Sequence, residues 1–219
     1  MEITSKIKPL AFFKEYLQNG YYPYFREQES TYFQRVNEVL RLILEIELPQ
    51  LRGVAPSAIP KLWHLLFAIT ESAPFIPNIS KLSERAGIMR NTLIDYLRYL
   101  DEAGVTHSLH RDAKGITRLQ KPDKLYLENT NLMYALRDTE PDIGGLRETF
   151  FCNQMKYRAL VEYPKAVDFI VDRKWSFEIG GKGKNENQLE SAETSYLVVD
   201  NVECGFGKRV PLWVFGFLY

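Results

Sequence analysis

Two neighbouring segments decide the fold: residues 167–171 read VDFIV, and residues 177–184 read FEIGGKGK. Each contains a short apolar run that is typical of a strand, and each carries one acidic residue, Asp168 in the first and Glu178 in the second. If the two strands pair antiparallel, both carboxylates lie at one edge of a sheet. A cluster of lysines, Lys182 and Lys184, follows directly. This order of residues is close to that of a metal-dependent nuclease site.

A nuclease of this type needs two carboxylates that hold Mg²⁺ and a lysine that helps to activate water or stabilises the phosphorane charge. Asp168 and Glu178 are the candidate ligands, and Glu148, on the preceding helix, is an additional candidate ligand or base. In a strand, residue 180 points to the same face as Glu178, and a lysine is expected there. Residue 180 is instead a glycine, which has no side chain. Lys182 has the same parity and lies one pleat, roughly 6–7 Å, further on. A bulge at the paired glycines would bring Lys182 closer; otherwise it forms a surface ion pair with Glu178 and the site is vestigial.

The remainder of this region predicts an α/β layer over residues 129–219. Helices are expected at residues 130–136, 146–160 and 187–192. Strands are expected at residues 161–163, 166–171, 176–179, 195–200 and 211–218.

The first 57 residues predict a helical segment that ends in a linker. Apolar residues recur at helical spacing over residues 9–19 and 31–48. The aromatic run YYPYF at residues 21–25 predicts packing around a proline turn, with stacking on nucleic-acid bases as the alternative. Two prolines and a glycine place the linker at residues 49–57.

Residues 58–128 predict a winged helix-turn-helix. Helices are expected at 61–72, 80–86 and 91–103, followed by extended runs at 105–109 and 116–119 that a turn joins. Such a unit reads the major groove with its last helix, while its wing contacts the backbone. The candidate contacts are Arg90, Asn91, Thr92 and Arg98 on the helix, and Arg111, Lys114 and Arg118 on the wing.

The charge distribution gives only modest support to DNA binding. The chain has no net charge and a pI of about 6.8, so any affinity for nucleic acid must be local. Residues 58–125 carry ten Lys or Arg against seven Asp or Glu, which gives a net charge of about +3. Residues 140–219 carry ten against twelve. The alternative is that the winged helix docks on a protein or on a neighbouring domain.

Several function classes are excluded or disfavoured by the same sequence. The residue after Lys184 is Asn185, so the glycine-rich run is not a P-loop, and the chain is not expected to hydrolyse ATP by itself. No apolar run reaches the roughly 18 residues that span a membrane. Cys152 and Cys204 are not a CxxC pair and nothing resembles a secretory leader, so we expect ordinary thiols and a cytoplasmic protein.

Segments along nearly the whole chain together resemble a conserved C-terminal region of unknown function that follows the ATPase core in prokaryotic AAA-type ATPases. They are FKEYLQNGYYP at 13–23, LIDYLRYL at 93–100, GLRETF at 145–150, VDF at 167–169, FEIGGK at 177–182 and PLWVFGFLY at 211–219.

The resemblance implies a helical lid remnant, a winged helix and a restriction-endonuclease-like domain, with the ATP-binding core absent from this chain. ATP would then be bound only by that core, and an oligomer is possible. Members of the family often read Glu-Val-Lys where this chain has Glu178, Ile179 and Gly180. Carried over residue by residue, the resemblance leaves Glu148, Asp168, Glu178 and Lys182 as the site candidates.

These observations lead to three hypotheses for an α+β protein. The leading hypothesis is a non-enzymatic C-terminal module of an AAA-type ATP-binding protein, without a cofactor of its own, that binds DNA or a protein partner. The second is a Mg²⁺-dependent nuclease that uses Asp168 and Glu178. The third is a protein-interaction platform that does not bind nucleic acid.

Overall fold

A computed structural model describes residues 8–111, 120–184 and 193–218. The fold is mixed α and β, with a helical first part and two separate sheets. No helix within the described ranges is long and apolar enough to cross a membrane. The expected strand at 116–119, the expected helix at 187–192, and the candidate DNA contacts Lys114 and Arg118 lie outside the described residues.

The first part is a series of helical segments. Helix α1 (Pro9–Glu15) continues into a π turn, and short 3₁₀ turns lead to α2 (Tyr32–Leu42), a second π turn (Ile43–Glu47) and α3 (Leu48–Arg52). The expected linker from residue 49 is therefore wrong at its start, because the chain remains helical to Arg52. Pro49 lies in the first turn of α3, where its missing N–H costs nothing.

The aromatic run at residues 21–25 packs into the protein. The rings of Tyr22 and Tyr24 are stacked, with centroids 5.4 Å apart, and Tyr24 contacts the buried Tyr32 at 5.6 Å. The Tyr22 hydroxyl also accepts a hydrogen bond from the Asn129 amide at 3.0 Å. These contacts agree with the packing interpretation of the run.

Three helices and a small sheet follow. They are α4 (Ile59–Ser72), α5 (Ile79–Ala86), α6 (Arg90–Glu102), β1 (Thr106–Leu109) and β2 (Lys124–Leu127). The two strands pair antiparallel, with Thr106 opposite Leu127. Phe75, between α4 and α5, forms a bridge to Leu125 and adds a third short extended segment beside β2.

The last part is a five-stranded mixed sheet that follows two helices, α7 (Thr130–Leu136) and α8 (Ile143–Lys156). The strands lie in the order in which the chain forms them, with β3–β5 antiparallel and β5–β7 parallel. They are β3 (Val161–Glu162), β4 (Phe169–Val171), β5 (Trp175–Gly180), β6 (Ser195–Val199) and β7 (Arg209–Pro211).

The expected strand at 211–218 is wrong beyond Pro211, where the chain turns into a 3₁₀ helix, Leu212–Phe217. Its buried residues are Leu212 and Phe215. Side chains three residues apart share a face of a 3₁₀ helix, whereas alternation is needed to bury one face of a strand.

Two hydrophobic cores hold these elements together, and they cross the domain boundaries expected at residues 57 and 128. Helix α1 joins the C-terminal core, where Phe13 contacts Phe150 edge to face at 4.8 Å. Helix α7 instead contributes Leu132 and Met133 to the N-terminal core. Both cysteines are free; Cys152 is buried and Cys204 is exposed.

Candidate functional site

Asp168 and Glu178 face each other across two adjacent strands. In the β4–β5 pair Phe169 is opposite Phe177, so Asp168, one residue before β4, lies opposite Glu178 in β5. Facing residues on antiparallel strands point to the same side of the sheet. The backbone N–H of Ile179 donates to Asp168 Oδ2 at 2.8 Å and fixes that carboxylate. The strand pairing therefore brings two acidic side chains together.

Lys184 supplies the ammonium at this pair. Its Nζ donates to Glu178 Oε2 at 2.6 Å and to the carbonyl oxygen of Ile179 at 2.9 Å, and it lies 3.6 Å from Asp168 Oδ2. The side chain of Lys182, the lysine that the sequence singled out, is exposed and forms no ion pair with any residue in the described ranges. Lys184 therefore occupies the position expected for Lys182.

Gly180 makes this position of Lys184 possible. A Cβ atom built at residue 180 would lie 2.3 Å from Cδ and 2.9 Å from Cβ of Lys184, so the lysine chain passes directly over the glycine. Gly180 is paired in register with Val199, so there is no bulge at this residue. Strand periodicity does not predict Lys184 at this position; the signal in the sequence is Gly180 where a side chain is expected, with a lysine four residues later.

Arginine side chains anchor the loop that carries Lys184. Arg209, in β7, donates to the carbonyl oxygens of Lys182 and Lys184 at 3.0 and 3.2 Å. The Lys184 N–H closes a turn on the Gly181 carbonyl at 3.0 Å. Arg147, in α8, pairs with Asp200 at 2.9 Å, and its guanidinium group lies over Gly181. The path of the loop is thus set by several independent contacts.

Among the residues that the structure describes, two carboxylates share one ammonium group at this site, so their charges do not cancel. Burial raises the pKa of Glu178, and the Asp168 carboxyl raises it further, while Lys184 opposes this shift. Only 12% of the Glu178 side chain is exposed. A buried group with excess negative charge is an environment that favours a bound cation.

The oxygen atoms of the site fit a hard divalent cation. Mg²⁺ and Mn²⁺ prefer carboxylate and carbonyl oxygens, and Mg²⁺ usually keeps several waters while it binds one or two carboxylates. Asp168 and Glu178 provide two such ligands, whereas the Ile179 carbonyl accepts a hydrogen bond from Lys184. Within the described ranges no group of three His, Cys, Asp or Glu side chains is close enough to hold a metal.

Glu148 does not join Asp168 and Glu178. Its Oε2 accepts hydrogen bonds from Lys124 Nζ at 2.5 Å and from the Tyr126 hydroxyl at 3.0 Å. Burial and then Glu148 raise the pKa of Tyr126 well above its usual value, with a smaller contribution from Asp168. Glu148 is therefore paired with Lys124 and hydrogen-bonded to Tyr126, away from the pair of Asp168 and Glu178.

Three of the candidate DNA contacts form the first turn of α6. Arg90 and Asn91 are exposed, and Thr92 is half-buried. Among the described residues Arg90 has no ion-pair partner, so its charge is available to a ligand.

The other described candidates are neutralised by neighbouring acids. Arg98 forms ion pairs with Asp95 at 3.6 Å and with Glu102 at 3.0 Å. Arg111 lies 3.4 Å from Asp123. The exposed face of α6 is therefore less basic than its arginines alone suggest.

These features define a mixed α+β protein whose C-terminal sheet carries a carboxylate pair and a lysine. Residues 11–142 match the model of a protein family described as Domain of unknown function (DUF8612). The match covers more than half of the 219 residues, so the chain belongs to this family. It ends before α8, so Asp168, Glu178 and Lys184 lie outside the matched segment. No curated protein and no solved structure matches the chain.

Proposed function

We propose that the C-terminal sheet carries a metal-dependent nuclease site built on Asp168 and Glu178. The observation that supports it is the pair of facing carboxylates, of which Glu178 is largely buried and has a raised pKa. The sequence had favoured a non-catalytic module because Gly180 stands where a lysine is expected. The missing lysine at residue 180 is a weaker objection to catalysis in the structure, because Lys184 brings an ammonium group to the same carboxylates from the following loop.

The proposed reaction is hydrolysis of a phosphodiester. Asp168 and Glu178 would hold Mg²⁺ or Mn²⁺, which would polarise a phosphoryl oxygen and lower the pKa of a bound water. The attacking water gives up one proton to solvent as its oxygen bonds to phosphorus. The bond from phosphorus to the leaving sugar oxygen breaks, and that oxygen takes up a proton from solvent. The Ile179 N–H keeps Asp168 in a fixed orientation for this task.

The arrangement of the elements supports DNA as the substrate. Helices α4–α6, followed by β1 and β2 with the bridge at Phe75, agree with a winged helix-turn-helix. The five-stranded mixed sheet behind α8 agrees with a restriction-endonuclease-like domain. The exposed Arg90 and Asn91 at the start of α6 are the helix contacts that we propose for DNA.

We also propose that the chain acts as the C-terminal module of a cytoplasmic AAA-type ATP-binding protein. The support is the resemblance of the segments quoted above. ATP turnover and any oligomer would then depend on the ATPase core, while this chain supplies DNA binding and cleavage.

Cleavage of plasmid DNA tests the proposal. The purified chain should nick or linearise supercoiled plasmid in Mg²⁺ or Mn²⁺, and EDTA should stop the reaction. Asp168→Asn and Glu178→Gln should reduce cleavage to background with an unchanged circular dichroism spectrum. Glu203→Gln, at an exposed carboxylate, is the matched control and should retain activity. Lack of cleavage of double- and single-stranded DNA with either metal would contradict the proposal.

A second candidate is the non-catalytic binding module. The observations that favour it are the neutralisation of Glu148 by Lys124 and of Arg98 by two acids. A mobility shift on duplex DNA, measured with Asp168→Asn in EDTA, separates binding from cleavage. A salt-dependent shift that Arg90→Ala weakens supports DNA binding. No shift at low salt would instead favour a module that docks on protein.

A further inference from the structure

We propose that Lys184 is the catalytic lysine of this site, and that it reaches the carboxylates because residue 180 is a glycine. This inference rests on the proposed nuclease function and names a residue that the strand pattern did not. The usual arrangement places the lysine two residues after the second carboxylate on the same strand. Here the ammonium group comes from the loop that follows β5.

The position of the ammonium group is the first argument. Lys184 Nζ contacts Glu178 Oε2, the Ile179 carbonyl and, at 3.6 Å, Asp168 Oδ2. The side chain is about one-fifth exposed, at 22%, so a substrate can approach it while its alkyl chain stays fixed on the sheet. A charged group beside both candidate ligands is where stabilisation of a developing phosphorane charge is needed.

The glycine is the second argument. Gly180 is not among the residues with positive φ, and it is paired in the ladder of β5 and β6, so its backbone does not require a glycine. What requires it is the Lys184 chain, whose Cδ would lie 2.3 Å from a Cβ atom at residue 180. A side chain at residue 180 and this conformation of Lys184 are therefore mutually exclusive. A lysine at residue 180, or Lys184 extending over a glycine at residue 180, would each place one ammonium group at the same carboxylates.

The anchoring of the loop is the third argument. Arg209 holds the carbonyl of Lys184 from β7, and Arg147 lies against Gly181 from α8. Residues on two flanking elements therefore fix the backbone from which Lys184 extends. Such support is what a catalytic side chain needs, because small displacements of a reacting group reduce the rate strongly.

In the reaction Lys184 remains protonated. It donates a hydrogen bond to the non-bridging oxygen of the phosphoryl group on which negative charge grows as the water oxygen bonds to phosphorus. The bond to the leaving sugar oxygen then breaks, and the charge on the non-bridging oxygen falls again. Lys184 neither gains nor loses a proton in the cycle.

The decisive experiment compares three variants of the full chain. Lys184→Ala should lower plasmid cleavage by about 100- to 1000-fold, as removal of a donor to a developing oxyanion does. Gly180→Ala should lower it by a similar factor, although it removes no functional group, because the new methyl group displaces the Lys184 chain. Lys182→Ala, two residues away and exposed, should change the rate by no more than about twofold. Activity that survives in Lys184→Ala and is lost in Lys182→Ala would overturn the assignment.

A thermal double-mutant cycle provides a readout that does not depend on activity. In the wild type, Gly180→Ala should lower Tm by about 2–4 °C, because Lys184 leaves the carboxylates. In a Lys184→Gly background the same substitution should have a much smaller effect, because nothing remains to be displaced. Equal shifts in the two backgrounds would show that residue 180 is not coupled to Lys184.

A relocated lysine completes the test. Gly180→Lys combined with Lys184→Gly should recover at least part of the cleavage that Lys184→Gly loses. If the wild type cleaves DNA but Lys184→Ala is equally active, this inference fails and the proposed function stands. If the wild type does not cleave at all, the proposed function fails, whatever the thermal cycle shows.

Discussion

Two carboxylate–lysine clusters, one around Glu128 and one around Asp168, differ in how completely their charges are satisfied. In the Glu128 cluster both oxygens of a buried carboxylate bind Lys156 Nζ. The Tyr157 hydroxyl donates to the same carboxylate at 2.8 Å, and the Asn153 amide donates to the Glu128 backbone carbonyl at 2.8 Å. One negative charge meets one positive charge, and little acceptor capacity remains.

The Asp168 site contains two carboxylates for one ammonium group and is more open to solvent. A structural ion pair minimises unpaired charge, because a buried charge without a partner is costly. Excess charge that persists at a half-buried site is instead typical of groups that bind or act on a ligand. We therefore infer that the Glu128 cluster stabilises the fold, whereas the Asp168 site binds or acts on a ligand.

The largest effect expected from this comparison is on stability. Lys156→Met leaves the buried Glu128 carboxylate without its cation, and should lower the free energy of unfolding by about 3–5 kcal/mol. Lys184→Met should cost less, about 1 kcal/mol, because Lys184 and Asp168 are 22% and 26% exposed and solvent screens part of their interaction. Urea denaturation at pH 7 measures both. Equal losses of unfolding free energy in the two variants would show that the two clusters contribute equally to stability.

The next effect concerns the loop that carries Lys184. Arg209→Gln removes the two hydrogen bonds to the carbonyls of Lys182 and Lys184, and should lower kcat about tenfold with a smaller change in KM. Arg158→Gln is a matched control, because Arg158 also donates to a backbone carbonyl, that of Leu218, but outside the site. Single-turnover cleavage assays separate the two parameters. A fall in kcat of the same size in the control would count against a positioning role for Arg209.

The smallest effect is on the pH dependence of stability. Because the pKa of Glu178 is raised above 4.5, the folded state binds this proton more tightly than the unfolded state does. Stability from this group is therefore present below pH 4.5 and is lost as the pH rises through the raised pKa. Asp168→Asn removes one cause of the raised pKa. The change in Tm from pH 4 to pH 7 should therefore be about 1–2 °C more favourable in this variant than in the wild type.

Thermal melts of both proteins at the two pH values, in EDTA, measure this difference. Glu203→Gln serves as the control, since its carboxylate is exposed and is not among the groups that shift the pKa of Glu178. An identical pH dependence in the wild type and in Asp168→Asn would show that the two carboxyls do not influence one another.

The part of the site that the sequence could predict follows from strand periodicity. Side chains alternate along a strand, so the positions of Asp168 and Glu178 in their apolar runs were enough to expect them on one face. Lys184 could not be found in this way, because the path of a loop follows no periodicity. It depends on long-range contacts, such as those of Arg209 with two carbonyl oxygens.

The fold shows the same division between local and long-range information. Helical spacing predicts α2 and α6, but the proline at residue 49 also predicts a linker where the chain stays helical to Arg52. Propensity does not tell the first turn of a new helix from the end of an old one. Similarly, Phe13 packs on Phe150 rather than on its sequence neighbours, which only tertiary packing decides.

The most direct test of the central claim is a calorimetric titration of the purified chain with Mn²⁺, which needs no assumption about the nucleic acid substrate. We predict saturable binding that Glu178→Gln and Asp168→Asn each abolish and that Glu203→Gln leaves unchanged. Absence of binding to the wild type, or binding that survives both substitutions, would contradict the assignment of Asp168 and Glu178 as a metal site.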